Sequence, residues 1–249
     1  MASSRLKAYL RLYRPRTALS TLMAAIGGSF YMGNPLDYGG PHIPILIVVG
    51  VTLAHFSVNA LNDYMDYRSG LDLRTPRTPF SGGTKLLVDG VITPIEALAL
   101  ALASLASALA IGLYLTLYRG PLVLLLALMG ALIIATYNKI LVKAGLGEIS
   151  VWAKGVLVFI GSVYTVTGSI PPEAVLVGMV YGGVSTLILY ANFIPDVEAD
   201  KSVGRRTIPA MLGEKAWVGY IAIAAILAIL IATLPLLGAL NPLALLALI

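Results

Sequence analysis

Between Asn59 and Asp72 the chain carries Asn59, Asn62, Asp63, Asp66 and Asp72 in a stretch that begins inside a long apolar run. A carboxylate at the centre of a membrane helix costs roughly 2.5–3.5 kcal/mol even on a lenient insertion scale, so these groups need a partner. On a helix, Asn59, Asn62, Asp63 and Asp66 recur at intervals of three and four and share one face. No basic residue stands in register with them. Hard oxygen donors of this kind suit Mg2+, which usually also engages substrate phosphates. A second stretch, 192–207, has the same character, with Asn192 ahead of Asp196 and Asp200 four residues apart. The candidate metal ligands are therefore Asn62, Asp63, Asp66, Asp196 and Asp200.

The elements that must position these groups are apolar helices. The chain has 249 residues, of which 58% are hydrophobic and only 12% charged, and its mean hydropathy is +0.89. Soluble domains carry about 25% charged residues, so this composition reads as an integral membrane protein. With no cysteine and two His, thiol chemistry, disulfides and a histidine-rich zinc site are excluded. Apolar runs of roughly spanning length occupy 17–33, 43–61, 95–118, 121–137, 149–168, 174–194 and 216–236. An eighth begins near Pro242 and reaches Ile249, too short to span. Gly-Asn-Pro, Gly-Pro and Pro-Pro breaks separate the runs. The expected fold is all-α: a polytopic transmembrane bundle with about eight helices visible, in one domain over 1–249.

The distribution of charge sets the sidedness. Arg5, Lys7, Arg11, Arg14 and Arg16 precede the first run, and Arg68, Arg74, Arg77 and Lys85 follow the second. Lys139, Lys143 and Lys154 lie near the break after the fourth; Lys201, Arg205, Arg206 and Lys215 follow the sixth. In an alternating topology only Arg119 falls on the opposite side. The positive-inside rule then predicts that the amino terminus and both acidic stretches are cytoplasmic, in the cell membrane. This arrangement accounts for the net charge of +5 without a nucleic-acid partner. Both acidic stretches run from an apolar segment through Asn and paired Asp to Gly and basic residues. That echo suggests two facing four-helix halves, each giving one carboxylate cluster, under cytoplasmic cap loops.

Two carboxylate clusters holding Mg2+, ringed by Arg68, Arg74, Arg77, Lys85, Lys143, Arg205 and Arg206, make a diphosphate site at the mouth of an apolar bundle. The ligand that fits is a polyprenyl diphosphate. Metal ions stabilise the diphosphate as it leaves. The allylic cation left behind needs a dry pocket with electron-rich faces, for which Tyr64, Tyr67, Tyr137, Tyr164 and Tyr190 are candidates.

These motifs resemble the UbiA superfamily of intramembrane prenyltransferases along essentially the whole chain. Arg14-Pro-Arg-Thr17 is similar to the family's approach to its first helix. Asn62-Asp63-x-x-Asp66 with Gly70-Leu-Asp72 resembles the first Asp motif, and Asp196-x-x-x-Asp200-x-x-x-Gly204-Arg-Arg-Thr207 the second. The Gly70-Leu-Asp72 spacing and Lys143-Ala-Gly-Leu-Gly-Glu148 are similar to the 1,4-dihydroxy-2-naphthoate (menaquinone) branch. The resemblance implies nine helices, so the chain is expected to lack its carboxyl-terminal end. It also implies transfer from a polyprenyl diphosphate to a ring carbon of a lipophilic or aromatic acceptor, with loss of the acceptor's carboxyl group.

Asp66, Asp72, Asp200 and Lys143 are the expected catalytic residues; Asp72 can instead pin its loop. Lys139 and Lys143 can hold the acceptor carboxylate, with Tyr137 beside the ring. Asn59 and Asn192 can bind substrate or bridge helices. His55 reads as a satisfied buried histidine and Glu148 as a helix-start residue, while Lys154 can reach the diphosphate or snorkel to the interface. Two other functions compete. A lipid-ether synthase would prenylate a glycerol phosphate. A cation-coupled transporter would need polar groups near mid-membrane, whereas these gather at one face.

Overall fold

The computed structural model describes residues 2–75 and 83–239. Arg77 and the eighth apolar run, from residue 240 onward, lie outside them. Among the described residues the regular structure is entirely helical. The first helix, α1 (Ala2–Tyr13), is amphipathic. It buries Ala8 and Leu12 against Leu86, Leu87 and Ile92 and leaves Arg5, Lys7 and Arg11 exposed. A 3-10 turn, Pro15–Ala18, leads into α2 (Leu19–Phe30). Then come α3 (His42–Ser69), the single turn α4 (Leu71–Arg74), α5 (Pro94–Arg119) and α6 (Pro121–Thr136). The second part holds α7 (Gly147–Thr167), α8 (Pro172–Phe193), the short α9 (Val197–Ser202) and α10 (Ile208–Leu212), and α11 (Ala216–Thr233).

Among the described residues six stretches are long and apolar enough to cross a membrane: His42–Ser69, Pro94–Arg119, Pro121–Leu141, Gly147–Thr167, Pro172–Ser202 and Ile208–Thr233. Their outer faces carry exposed Leu117, Leu132 and Ile229, as a lipid-facing surface does. The run 17–33 departs from its expected length. Pro15 and the left-handed backbone of Arg14 open it with a 3-10 turn, so the α-helical part has 12 residues, short of the ~20 that span a bilayer.

The main packing pairs are α3 with α5 and α7 with α8, with α2 laid across α7. Bare glycine faces let these helices approach closely, as membrane packing favours. A Cβ on Gly28 would stand 2.4 Å from the Phe159 carbonyl oxygen, and one on Gly155 would stand 2.5 Å from Gly182 Cα. Between α3, α5, α6 and α7 the bundle leaves a cavity of about 170 Å³. Val51, Leu109, Ala127 and Leu157 give its apolar wall; Thr21, His55 and Lys154 are its polar lining toward the acidic end of α3.

Candidate active site

The last turns of α3 lift four polar residues out of an apolar helix. Gly70, left-handed at φ 75°, ends α3, and α4 turns the chain back so that Asp72 is buried beside it. Across the bundle, Pro195 interrupts α8 with a 3-10 turn, Ile194–Asp196, before α9 resumes. Asp196 and Asp200 therefore keep their four-residue spacing over a helix junction. The end of α6 widens into a π-helical turn, Tyr137–Leu141. Such bulges often mark functional sites, and this one brings Tyr137 and Asn138 to the same place.

One side chain joins these elements. Arg205 Nη1 donates to Asp66 Oδ1 at 3.2 Å, and its Nε stands 3.5 Å from Asp200 Oδ1. Its Nη2 donates to Asn138 Oδ1 at 3.2 Å, and its guanidinium lies 5.7 Å from the Phe193 ring centre. Asn138 in turn donates to Asn62 Oδ1 at 2.7 Å. Thr207 donates to Asp200 Oδ2 at 3.2 Å and caps α10. Burial works against the Arg205 charge, but Asp66 and Asp200 outweigh it and hold its pKa above the ordinary value. Tyr137 is buried with Arg205, Glu148, Asp66 and Asp200 for neighbours, and its hydroxyl has no hydrogen-bond partner among the described residues.

Two flanking pairs close the site. Arg14 pairs with Asp63, which also accepts from the Thr84 hydroxyl and, at 3.3 Å, from the Thr84 amide. Burial lowers the pKa of Arg14, while Asp66 and Asp72 act in the opposite direction. Lys85 is buried against Asp72, with Nζ 3.6 Å from Oδ1, and donates to Thr75 Oγ1 at 2.6 Å. Burial pushes the Asp72 carboxyl up to about 6, and repulsion from Asp66 adds to the rise. Gly83 is held close: a Cβ there would stand 2.6 Å from Asp72 Oδ1.

The structure thus brings Asn62, Asp66, Asp200 and Arg205 together, with Asp63, Asp72 and Lys85 beside them and Asp196 buried nearby. Other sequence candidates stand apart. Arg74 donates to Ser202 and ties α4 to α9. Arg68 rests on Tyr64. Lys139, Lys143 and Arg206 are exposed, and Asn192 is half-buried. The Asn59 amide donates to the Tyr13 carbonyl at 2.7 Å and to Thr17 at 3.0 Å, joining α3 to the end of α1. Tyr164 donates to the Arg119 carbonyl at the far end of the bundle, and Tyr190 to Ala216 on α11. Glu148 is buried in the first turn of α7 and accepts from the Ile208 amide at 2.7 Å. Sequence reasoning passed over Arg14, Thr84, Asn138 and Thr207 as side chains of the site. Asn138 and Thr207 had a usable signal, since each is a polar residue next to a motif already singled out.

Among the described residues no three Asp, Glu or His side chains converge on one point as a ready metal cage. The donors nonetheless fit Mg2+ in kind. They are carboxylate and amide oxygens, buried at Asp63, Asp196 and Asp200 and half-buried at Asn62 and Asp66, and the Tyr137 hydroxyl is buried without a partner among the described residues.

Residues 17–249 match the UbiA prenyltransferase family. The 1,4-dihydroxy-2-naphthoate octaprenyltransferase of Haemophilus influenzae is 27% identical over 221 residues, covering 86% of this chain and 71% of the relative. The enzyme of the same description from Escherichia coli is 29% identical over 224 residues, covering 85% and 70%. Among solved structures, a UbiA homologue from Archaeoglobus fulgidus bound to GPP and Mg2+ superposes with a TM-score of 0.75 at 21% identity, covering 96% of this chain and 83% of that one. A digeranylgeranylglyceryl phosphate synthase superposes at 0.62 and 20% identity, covering 95% and 80%. At those identities the solved structures speak for the fold, and the family match speaks for the chemistry. The chain, a multi-pass membrane prenyltransferase, belongs to the UbiA prenyltransferase family.

Proposed function

We propose that the protein transfers a polyprenyl group from its diphosphate to an aromatic quinone precursor of the 1,4-dihydroxy-2-naphthoate kind, at the cytoplasmic end of the bundle. The observation that carries this reading is Arg205. It joins carboxylates from two distant parts of the chain, Asp66 and Asp200, at the end of the bundle toward which the cavity's polar lining lies. Charge at one end and hydrocarbon below it match a diphosphate head and a prenyl tail.

Asp66, Asp196 and Asp200 would hold Mg2+, which when bound supplies positive charge to the diphosphate as it leaves. Arg205 and Arg14, both half-buried at this end, can turn their guanidinium donors to phosphate oxygens, where bidentate geometry is strong. Asp63 and Thr84 orient Arg14 for that task. The bond from C1 to the diphosphate oxygen breaks with its electron pair on oxygen. The ring carbon of the acceptor that bears the carboxylate bonds to C1, and that carboxylate departs as carbon dioxide, returning its bonding pair to the ring. Tyr137 stands beside this point with an uncommitted hydroxyl. The cavity wall keeps water from the allylic cation. The naphthoate acceptor is favoured by the two curated relatives, and the cytoplasmic orientation by the placement of Lys and Arg.

The deciding assay offers the purified protein geranylgeranyl diphosphate and Mg2+ with two acceptors at equal concentration. These are 1,4-dihydroxy-2-naphthoate and geranylgeranylglyceryl phosphate. The prenylated naphthoquinol is the expected product, and EDTA is expected to stop its formation. Ether lipid as the main product would overturn the acceptor; turnover that survives EDTA would overturn the metal.

A further inference from the structure

Asn138 lies outside both acidic motifs, yet among the described residues its side chain bonds only to members of them. Its Nδ2 donates to Asn62 Oδ1 at 2.7 Å, 76 positions away in sequence. Its Oδ1 accepts from Arg205 Nη2 at 3.2 Å, 67 positions away. A widened turn at the end of α6 presents it. There the Val142 amide reaches back five residues to the Tyr137 carbonyl at 2.9 Å, and Asn138 is the second residue of that π-helical turn.

The order of donors along this row is forced. A guanidinium has N–H groups and no acceptor, so Asn138 must show Arg205 its carbonyl oxygen. The other atom of the Asn138 amide is then an NH2 group, which can only donate. Asn62 must therefore answer with its own carbonyl oxygen. One cation thus fixes two amides in series. The orientation matters, because an amide holds a hard cation through oxygen and not through nitrogen. Asn62 Oδ1 has two lone pairs; Asn138 takes one and leaves the other for a metal ion. Through Asn138, that oxygen is turned to the side on which Arg205 meets Asp66 and Asp200.

Asn59, three residues earlier on α3, gives the contrast. Its amide donates to the Tyr13 carbonyl and to Thr17, and neither partner belongs to an acidic motif. That asparagine fastens helices. Asn138 instead joins the first acidic motif to the arginine of the second.

We propose that Asn138 is a positioning residue for the metal site. It holds the Asn62 carbonyl oxygen toward the carboxylates and, through Arg205, ties that orientation to the second acidic motif. The inference rests on the reading of this cluster as a Mg2+ site with Asn62 among its ligands.

The test measures protein-bound Mn2+, standing in for Mg2+, by equilibrium dialysis of the protein in nanodiscs. Pyrophosphate is held at one concentration on both sides, empty nanodiscs are the blank, and neither prenyl donor nor acceptor is present. Asn138→Leu has nearly the same size and removes both bonds. It should weaken Mn2+ binding about tenfold, the usual cost of losing a group that orients a metal ligand. Asn62→Ala should cost at least as much. The double variant should bind no more weakly than Asn62→Ala alone, because without Asn62 there is no amide left to turn. A bridge that only fastened α6 to α3 would lower the unfolding temperature and leave Mn2+ affinity as in wild type. Asn138→Ala removes the same two bonds and serves if the leucine variant fails to fold. Wild-type affinity in the Asn138 variant, or losses that multiply in the double variant, would overturn the positioning role and leave the metal site standing. A wild type that binds no Mn2+ overturns both.

Discussion

Two arginines sit at opposite ends of the bundle and are held in opposite ways. Arg119, at the end away from the acidic motifs, donates to backbone carbonyls: Thr165 at 2.9 Å, Tyr38 at 3.0 Å, and Val166. Tyr118 adds its own bond to the Tyr38 carbonyl at 2.9 Å. These oxygens belong to the end of α7 and a loop, and they cannot leave. A cation at a helix C-terminus satisfies orphan carbonyls and complements the helix dipole. Arg205, at the acidic end, is bound to side chains, and two of them are carboxylates. Those carboxylates can exchange one cation for another. Arg119 is therefore a fastening. Arg205 is a resident counter-charge that the proposed metal and diphosphate would replace or recruit.

The largest expected effect lies at the acidic end. Asp66→Asn or Asp200→Asn should each lower prenyl transfer by at least about a hundredfold, since each removes charge stabilisation at the leaving group. Product formation would be followed by chromatography, and thermal unfolding should show the variants still folded. Transfer within a few-fold of wild type would place the chemistry elsewhere.

Next, the two arginines should separate in a paired experiment. Arg205→Gln leaves the buried Asp200 and the half-buried Asp66 without their shared cation, so the metal-free protein should lose thermal stability. Adding Mg2+ with pyrophosphate should raise its unfolding temperature more than it raises that of wild type. Arg119→Gln should lose stability of about 1.5–3 kcal/mol, the worth of hydrogen bonds from a charged donor, and Mg2+ should not restore it. If Mg2+ rescued both variants alike, the contrast between the two ends would collapse.

A smaller effect concerns pH. The Asp72 carboxyl is raised to about 6 from an ordinary value near 4, so the folded protein holds its proton more tightly than the unfolded chain does. Its contribution to stability is then greatest below about pH 4 and is lost as pH rises toward 6. Asp72→Asn should flatten the pH dependence of unfolding in that window; an unchanged slope would assign it to other groups. The smallest effect belongs to the exposed Lys143. Its change to Ala should alter prenyl diphosphate affinity by about fivefold or less, in keeping with solvent-screened charge. A larger loss would mean that its loop folds over the bound substrate. Sidedness can be checked on the same preparations, because the chain has no cysteine. Leu73→Cys and Leu36→Cys, both at exposed positions, should label from opposite faces of the membrane.

Much of this was legible in one dimension because membranes impose simple rules. Apolar runs of spanning length marked six of the long helices, and Asp in such surroundings marked the candidate site, since a carboxylate there is costly without a partner. The boundaries were less legible. Nothing in 17–33 announced that Arg14 would adopt a left-handed backbone and shorten α2 to 12 residues. The amphipathic α1 went unread as a helix because its basic residues invite a simpler account as a surface anchor.

The sequence by itself determined the class of molecule, the two acidic motifs and the family to which they belong. These depend on residue type and local spacing, and each is written in adjacent letters. Only the tertiary structure decided which cation meets which carboxylate. Seven basic residues competed for the site on paper, yet among the described residues Arg205 alone joins Asp66 to Asp200. Lys85 turns to Asp72, Arg74 to Ser202, and Lys143 stays in solvent. It also decided that Lys154 of α7 meets Thr21 of α2 and, through it, His55 of α3. Those pairings span up to 139 positions of chain. They follow from how closely glycine-faced helices pack, a property of surfaces in contact that no local spacing encodes.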